Sequence, residues 1–484
     1  MKVSYKKHAV TFLSMAMVMT ACNKQLDINV DPSKLTSDQV SLSALLPSTI
    51  QFTATSFYNA GQYGNYYPQY FAGNAGQEAQ IESYNPYGFD NIWESAYRDA
   101  MPNLKDMISR AQTAGAPQYR GIGKLLLALN LMQCSDIWGD VPYSEAFLGL
   151  SNLSPKYDPQ SEIYNNYLKD LLDEAITDLS QPIPASTVLQ VGSTDLVYGG
   201  GTAGAANWLK AAYGARARYY IHLSLKDASN LQKAASDASQ AISDQTGALD
   251  LQLKYSQERP NPWFTYLSNT AATSRSARPA QYFVNLLNGN SYYSGIVDPR
   301  ISKFVDKGTA ATYIGKPAGV RNGVATTDIT ANTFYGQRTS VIPILTYAEI
   351  QFIRAEALFN TNKTDAYAAY LNGIKGSMKK LGVSDTDAGT YINNPAVSKG
   401  AQSFTLTDIM LQKYIANFMQ LETWSDMRRY QYSTTIYPGL TKPDNIPNAL
   451  NPWVQRGNFP DNEPGRNPNV PSSDQWTKIW LFNN

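Results

Sequence analysis

Apolar residues return at three- and four-residue steps along much of the chain, the spacing that lines one side of an α-helix. Between Leu406 and Tyr430 the series Leu411, Tyr414, Ile415, Phe418 and Leu421 predicts one helix that starts near Thr407 and lays a continuous apolar face on a core. Tyr347 to Leu358 is its expected packing partner. Asn91 to Arg110 carries Trp93, Tyr97, Leu104 and Ile108 at helical spacing. Tyr119 to Cys134 is a more apolar helix, stopped by Trp138-Gly139-Asp140-Val141-Pro142-Tyr143, where glycine and proline end propagation. Ser161 to Leu179 follows, with Tyr164, Leu168, Leu171, Leu172, Ala175 and Leu179 on one side.

Two further stretches come as pairs. Trp208 to His222 is followed by Ala228 to Ile242, lined by Ala234, Ala235, Ala238 and Ala241; Tyr347 to Phe359 is followed by Ala366 to Leu381. Small residues at a helix crossing allow close approach, the mark of tetratricopeptide-like repeats, here with an irregular period. The predicted fold is therefore mainly α, a tetratricopeptide-like helical scaffold in one domain over residues 41–484. Three long excursions break the periodicity. Tyr63 to Tyr87, after a weakly helical Leu42 to Tyr58, and Tyr255 to Val297 read as loops rich in rings. Pro438 to Pro471 is dense in proline, which opposes helix, and reads as a wrapped tail.

Glu422, Trp424, Asp426, Arg428 and Arg429 concentrate charge of both signs within eight positions. Buried charges persist only when paired, and the planar guanidinium matches a carboxylate, so this cluster reads as an ion-paired staple with Arg428 or Arg429 structural. Gly199 to Gly204 formally matches G-x-G-x-x-G. A dinucleotide loop needs a preceding buried strand and a following strand ending in an acid, whereas helical patterns flank this one, so it reads as a flexible link between helices.

The first residues carry a different signal. Lys2, Lys6 and Lys7 precede the apolar run Ala9 to Met19 and then Met19-Thr20-Ala21-Cys22, the layout of a lipoprotein export signal over residues 1–21. The run is shorter than the about 20 apolar residues that span a bilayer. Acylated Cys22 is thus the expected membrane attachment, with 22–40 as a polar tether. Removing the leader moves the formal charge from +1 to −2, and no basic patch points to nucleic acid. Cys134 then has no partner for a disulfide and reads as a small buried hydrophobe. His222 becomes the only histidine, which leaves no His pair for zinc and places no second His beside a nucleophile.

The helical stretches also resemble a known family. QKYIANF followed by ETWSDMRRY, TYAEIQFIRAEAL upstream of it, NIWESAYRDAMPNL at 91–104, LNLMQCSDIWGDVPYSEAF at 129–147, EIYNNYLKDLLDEAITDL at 162–179, WLKAAYGARARYYIHLS at 208–224 and Asp298-Pro299-Arg300 occur in the order seen in SusD/RagB lipoproteins. That resemblance implies a non-catalytic outer-membrane lipoprotein, exposed at the cell surface and without a cofactor, that captures oligosaccharide or polysaccharide and delivers it to a SusC-like TonB-dependent transporter. Two other classes stay open on the residues alone. One is a lipoprotein glycoside hydrolase, for which two carboxylates suffice; the other is a peptide-binding adaptor of the same family.

Tyrosine is abundant, 33 residues beside 8 Trp and 16 Phe, which suits surfaces that are apolar on one side and wet on the other. A sugar ring has an apolar face and a polar rim, so aromatic faces flanked by amides are its expected partners. Tyr63, Tyr66, Tyr67 and Tyr70 lie among Gln62, Asn65 and Gln69. Trp263, Tyr266, Tyr292 and Tyr293 lie near Asn261, Arg275 and Asn290. These eight rings are the candidate ligand contacts, Trp263 first among them because a Trp face offers the largest stacking area.

Overall fold

The computed structural model describes residues 40–268, 275–448 and 450–483. The expected leader, Cys22 and nearly all of the tether lie outside the described residues. The first helix, α1 (Leu42–Gly64), is longer than its weak periodicity suggests. It is capped by the Ser41 side chain and buries Leu46, Ile50 and Ala54. Tyr63 thus ends a helix rather than opening a loop. The stretch that follows is also more regular than its glycines imply, holding β1 (Phe71–Gly73) and α2 (Gly76–Glu82).

A π-helical segment, Glu94–Ala100, runs into α3 (Met101–Ala114), which stops at Gly115 in the left-handed conformation. Then α4 (Pro117–Trp138) packs against α3 on one side and α5 (Lys169–Leu179) on the other. Nineteen of its 22 residues are buried, which is why its sequence is apolar all round and carries no clear stripe. Next come α6 (Gly201–His222) and α7 (Ser229–Gln240), packed as a pair. The glycine run ahead of α6 is not a flexible link. Gly199, Gly200 and Gly201 all have positive φ, and the helix begins at Gly201 itself. The turn is pinned by the Asp195 carboxylate, which accepts from the Gly200 amide at 3.3 Å and from Trp208 Nε1 at 2.8 Å.

In the second excursion, β2 (Leu251–Lys254), β3 (Ala277–Pro279) and α8 (Gln281–Leu287) interrupt what the sequence presents as irregular. β4 (Val341–Leu345) pairs antiparallel with β2 and leads straight into α9 (Tyr347–Leu358), capped by Thr346. α9 and α10 (Lys363–Lys380) form the tightest helical pair among the described elements. Gly373 of α10 makes that approach possible. A Cβ there would stand 2.7 Å from the Phe352 ring, a distance real Cβ atoms do not tolerate.

After α11 (Asp385–Ile392), the long helix expected from Thr407 to Tyr430 is two helices, α12 (Leu406–Ala416) and α13 (Glu422–Arg429). Thr405 and Asp408 form a reciprocal capping box at the start of α12. The break comes at Asn417, followed by Met419 at φ +68°, a conformation that forbids continuation of a right-handed helix. Phe418 and Leu421 therefore leave the face that periodicity assigns them to. The stacked pairs α4–α5, α6–α7 and α9–α10 make the predicted helical-repeat scaffold, and α12 closes on α9 and α10. The proline-rich tail is irregular as expected, apart from a short turn of helix at Glu463–Arg466.

One pairing organises the side opposite the repeats. β1 and β3 are antiparallel, with Phe71 opposite Pro279, Ala72 opposite Arg278 and Gly73 opposite Ala277. The two ring-rich excursions, far apart in sequence, are thereby zipped together.

Candidate functional site

The side chains of the charged cluster on α13 are almost fully buried, and all of its charges but that of Arg428 are paired. Arg429 makes a two-pronged contact with Glu356 of α9 and reaches Asp426 at 2.7 Å; Lys413 of α12 meets Asp426 at 2.8 Å. Arg218 of α6 grips Glu349 with two bonds of 2.7 Å. Arg428 instead donates to backbone carbonyls, Asp136 O at 2.6 Å and Gln455 O at 3.0 Å, and lies 3.9 Å over the Trp424 ring. Burial without a directly bonded carboxylate pulls its guanidinium down to about 10. These contacts join α4, α6, α9, α12 and α13 to the tail, and they leave no donor directed at solvent. The cluster is the staple its charge pattern suggests.

His222 sits within it, Nε2 2.7 Å from Glu422 Oε1 and Nδ1 3.0 Å from the Tyr164 hydroxyl, with Asp136 at 3.4 Å. Burial pushes the imidazole down, but the Glu422 and Asp136 carboxylates together outweigh it and hold it above its ordinary value. Burial also raises Asp136, to about 6, while His222 and Arg218 outweigh burial at Glu422 and hold it at about 2. Asp136, His222 and Glu422 form the one group among the described residues whose ligand atoms could converge on a metal ion. The arrangement fits a hydrogen-bonded ion bridge better. Both imidazole nitrogens are engaged, and Arg218 Nε stands 3.6 Å from Glu422, where it would repel a cation.

The candidate rings fall into two sets. Tyr63, Tyr66, Tyr67, Tyr70, Trp263 and Tyr293 are buried. Trp263, 1% exposed, stands edge-on to Tyr58 at 4.9 Å and walls a narrow pocket of about 40 Å³ shared with Asp136, Arg218, Gln420 and Glu422. That volume suits three or four waters at roughly 10–15 Å³ each, and the buried Gln420 Nε2 has no protein partner. Tyr67 lies 4.7 Å from Trp424, Tyr63 accepts from Asn91, and Tyr293 is edge-on to Tyr292. The faces of these six rings are turned to protein. Tyr266 and Tyr292 are half-buried: the Tyr266 hydroxyl donates to Glu78 at 2.6 Å and that of Tyr292 to Asp408 at 3.1 Å.

Where the two excursions meet, their amides converge. A concavity of about 260 Å³ is lined by Gln69, Gln281, Tyr282, Asn285, Asn290 and Ser291, with Thr441, Lys442 and Asp444 from the tail. Gln69 has φ +55° and reaches across to the Thr441 carbonyl. The Ala280 amide donates to Tyr70 O at 3.0 Å, and the Gln281 amide to Lys316 O at 2.8 Å, which aligns the start of α8 on the rim. Gln281 and Asn285 are four residues apart on α8 and so share a face. The Tyr282 hydroxyl is buried there without a partner.

Of the residues named from the sequence, Gln69 and Asn290 come together in this concavity. Gln281, Tyr282, Asn285, Thr441 and Asp444 were not anticipated. The i, i+4 spacing of Gln281 and Asn285 on an otherwise apolar helix was a usable signal for two of them.

The helical scaffold has counterparts to compare with. A family model described as starch-binding associating with outer membrane matches residues 32–460. The chain belongs to the SusD-like family. A SusD/RagB family protein from Bacteroides thetaiotaomicron is 24% identical, with a TM-score of 0.72 over 92% of this chain and 99% of that one. A chitin-binding SusD homolog from Flavobacterium johnsoniae is 21% identical, with a TM-score of 0.74 over 92% and 99%. A SusD homolog from Bacteroides uniformis is 21% identical, with a TM-score of 0.71 over 91% and 99%. No curated protein matches this chain. At these identities the likeness establishes the SusD-like fold. Among the described residues no helix is long and apolar enough to cross a membrane.

Proposed function

We propose that this SusD-like protein is a non-catalytic lipoprotein, anchored through Cys22 at the outer-membrane surface, that binds a neutral oligosaccharide in the amide-lined concavity and passes it to a SusC-like TonB-dependent transporter. The observation that carries the reading is the convergence of Gln69, Gln281, Asn285 and Asn290 on one concavity. Amides offer donors and acceptors together, as a sugar hydroxyl does, and they form the polar lining that orients a ligand. At about 260 Å³ the concavity is slightly below the roughly 300 Å³ lower end of small-molecule pockets, a size that suits one or two sugar units of a longer chain. Two candidate rings adjoin its lining in sequence, buried Tyr70 next to Gln69 and half-buried Tyr292 next to Ser291.

The absence of catalysis is supported by the state of the buried acids. Asp136 and Glu422 are bridged by His222, so they are poorly arranged to protonate a glycosidic oxygen. The family description and the chitin-binding relative make starch and chitin fragments the first ligands to titrate.

The test is calorimetric titration of the purified protein with malto-oligosaccharides and chito-oligosaccharides, run beside the Asn285→Ala/Asn290→Ala double variant. Binding weakened at least tenfold in a variant that melts normally is the expected result. Unchanged affinity removes the concavity from consideration. Release of shortened sugars by the wild type replaces the capture reading with a hydrolase, and binding of peptides alone replaces the ligand class.

A further inference from the structure

Among the described residues, three of the seven exposed large hydrophobic side chains fall within six consecutive positions: Leu148 at 53%, Leu150 at 93% and Leu153 at 73% exposure. They sit on the loop after α4, and the loop is built to hold them out. Half-buried Glu145 and Asn152 bond within it. Asn152 Nδ2 donates to Glu145 Oε2 at 3.4 Å, the Ser154 amide to Asn152 Oδ1 at 3.1 Å, and the Lys156 amide to Glu145 Oε2 at 3.3 Å. Phe147 at φ +67° and Gly149 at φ +56° supply the sharp bends, the first in a conformation a bulky residue avoids unless its surroundings impose it. Beside it lies a groove of about 460 Å³ walled by Trp93, Tyr97, Pro142, Phe147 and Leu153.

The place of the loop on the molecule says what covers it. Lys105 of α3 lies 5.2 Å over the Phe147 ring, and Arg110 of the same helix holds the carbonyl of Val40 at 3.3 Å. Val40 is where the chain arrives from Cys22. Five residues of helix separate the two contacts, about 7.5 Å of rise. The loop and the point where the tether enters are therefore both held by α3. The residues between Cys22 and Val40, at roughly 3.5 Å each, are long enough to let the loop rest on a bilayer without strain.

We propose that Leu148, Leu150 and Leu153 form a membrane-contact loop that inserts into the hydrocarbon edge of the lipid surface and docks the tethered protein on the bilayer. This rests on the lipid-anchored reading above. Exposed aliphatic side chains at a bilayer interface leave water for acyl chains, and the rings of Trp93 and Tyr97 suit the headgroup boundary just behind them. The recognised chemistry is hydrocarbon, so the contact is insensitive to headgroup charge and to salt.

The test uses the mature chain, residues 22–484, with Cys22→Ala, which carries neither the leader nor an acyl group and leaves the loop as the proposed lipid contact, in flotation with phosphatidylcholine vesicles. The expected result is measurable partitioning that survives 1 M salt and falls at least tenfold in Leu148→Ser/Leu150→Ser/Leu153→Ser, with the melting curve of the variant confirming its fold. No partitioning of Cys22→Ala, or partitioning unchanged by the triple substitution, overturns the proposal. Binding confined to phosphatidylglycerol vesicles and lost in salt overturns it in favour of electrostatic adsorption. Loss of a co-purifying membrane protein from the acylated triple variant, with vesicle binding intact, overturns it in favour of a protein partner. Failure of the anchor itself reads out separately: the Cys22→Ala chain then stays in the cell membrane pellet at wild-type levels.

Discussion

Tyr70 and Tyr414 hold each other by backbone as well as by ring. Their rings stack with centroids 4.5 Å apart; the Tyr70 hydroxyl donates to the Tyr414 carbonyl, and the Tyr414 hydroxyl donates to the carbonyls of Pro68 and Gln69 at 3.0 and 3.1 Å. The Tyr414 carbonyl lies in the last turn of α12, where no helical amide is left to serve it. The exchange fixes the start of β1, and with it Gln69, against the helical scaffold. Tyr70→Phe keeps the stack and removes the donor to a buried carbonyl, so urea denaturation is expected to show a loss of about 1–3 kcal/mol. A variant as stable as the wild type means that the carbonyl finds another donor and that the link is dispensable.

Arg429→Ala takes the best-placed cation from Glu356 and Asp426 and leaves Lys413 to serve both. Breaking a buried pair by deleting one partner costs about 3–5 kcal/mol, so the melting temperature should drop sharply. Oligosaccharide affinity of the folded fraction should not change. Lost binding at an unchanged melting temperature would falsify the staple assignment.

The pH dependence of stability follows from the groups around His222, which are Asp136, Glu422, Tyr164, Arg218 and Arg428. His222 is held above its ordinary value of 6.5, so its contribution is full below that pH and is lost as pH rises through the folded value. Glu422 is held at about 2, so its contribution is present above its ordinary value of 4.5 and is lost as pH falls towards 2. Asp136 is raised to about 6, so it weakens the fold as pH rises from its ordinary 3.8 through that value. Denaturation midpoints measured across pH should fall on both sides of mildly acidic conditions. In His222→Gln the decline above pH 6.5 should flatten, and an unaltered alkaline slope would show that other groups cause it.

Trp263→Ala removes a large ring that is buried against Tyr58 and Phe71 and enlarges the narrow pocket it walls. The expected cost is about 3–5 kcal/mol, read by thermal or urea unfolding. A ligand role for the same ring would instead appear as weakened oligosaccharide binding with stability retained, and the two outcomes separate cleanly.

The helical scaffold was legible because its signal is local. The buried face of α9 and the alanines of α7 recur at a spacing that needs no knowledge of what they pack on. Where a helix ends was less legible. Leu411, Tyr414, Ile415, Phe418 and Leu421 keep perfect helical register through a break that depends on the backbone at Met419, which carries no apolar pattern. The rings around Tyr66 and Trp263 read as displayed because glycine, asparagine and glutamine surround them. Their burial comes from a strand pairing between Phe71–Gly73 and Ala277–Pro279, and three residues on each side are too few to announce a partner so far along the chain. The same pairing assembles the amide-lined concavity, so Gln69 and Asn290 were visible as residue types but not as neighbours.

That pairing bears on when the concavity takes shape. Gln69 and Thr441, joined across the rim of the concavity, are 372 residues apart. Contacts of such high sequence separation form late, after the local helical hairpins, because a long loop must close before they contribute anything. A chain made from its N-terminus has every helix from α1 to α11 available to fold while Thr441 is still to emerge. The concavity is thus completed last, and a chain cut short of Thr441 has a scaffold without that rim.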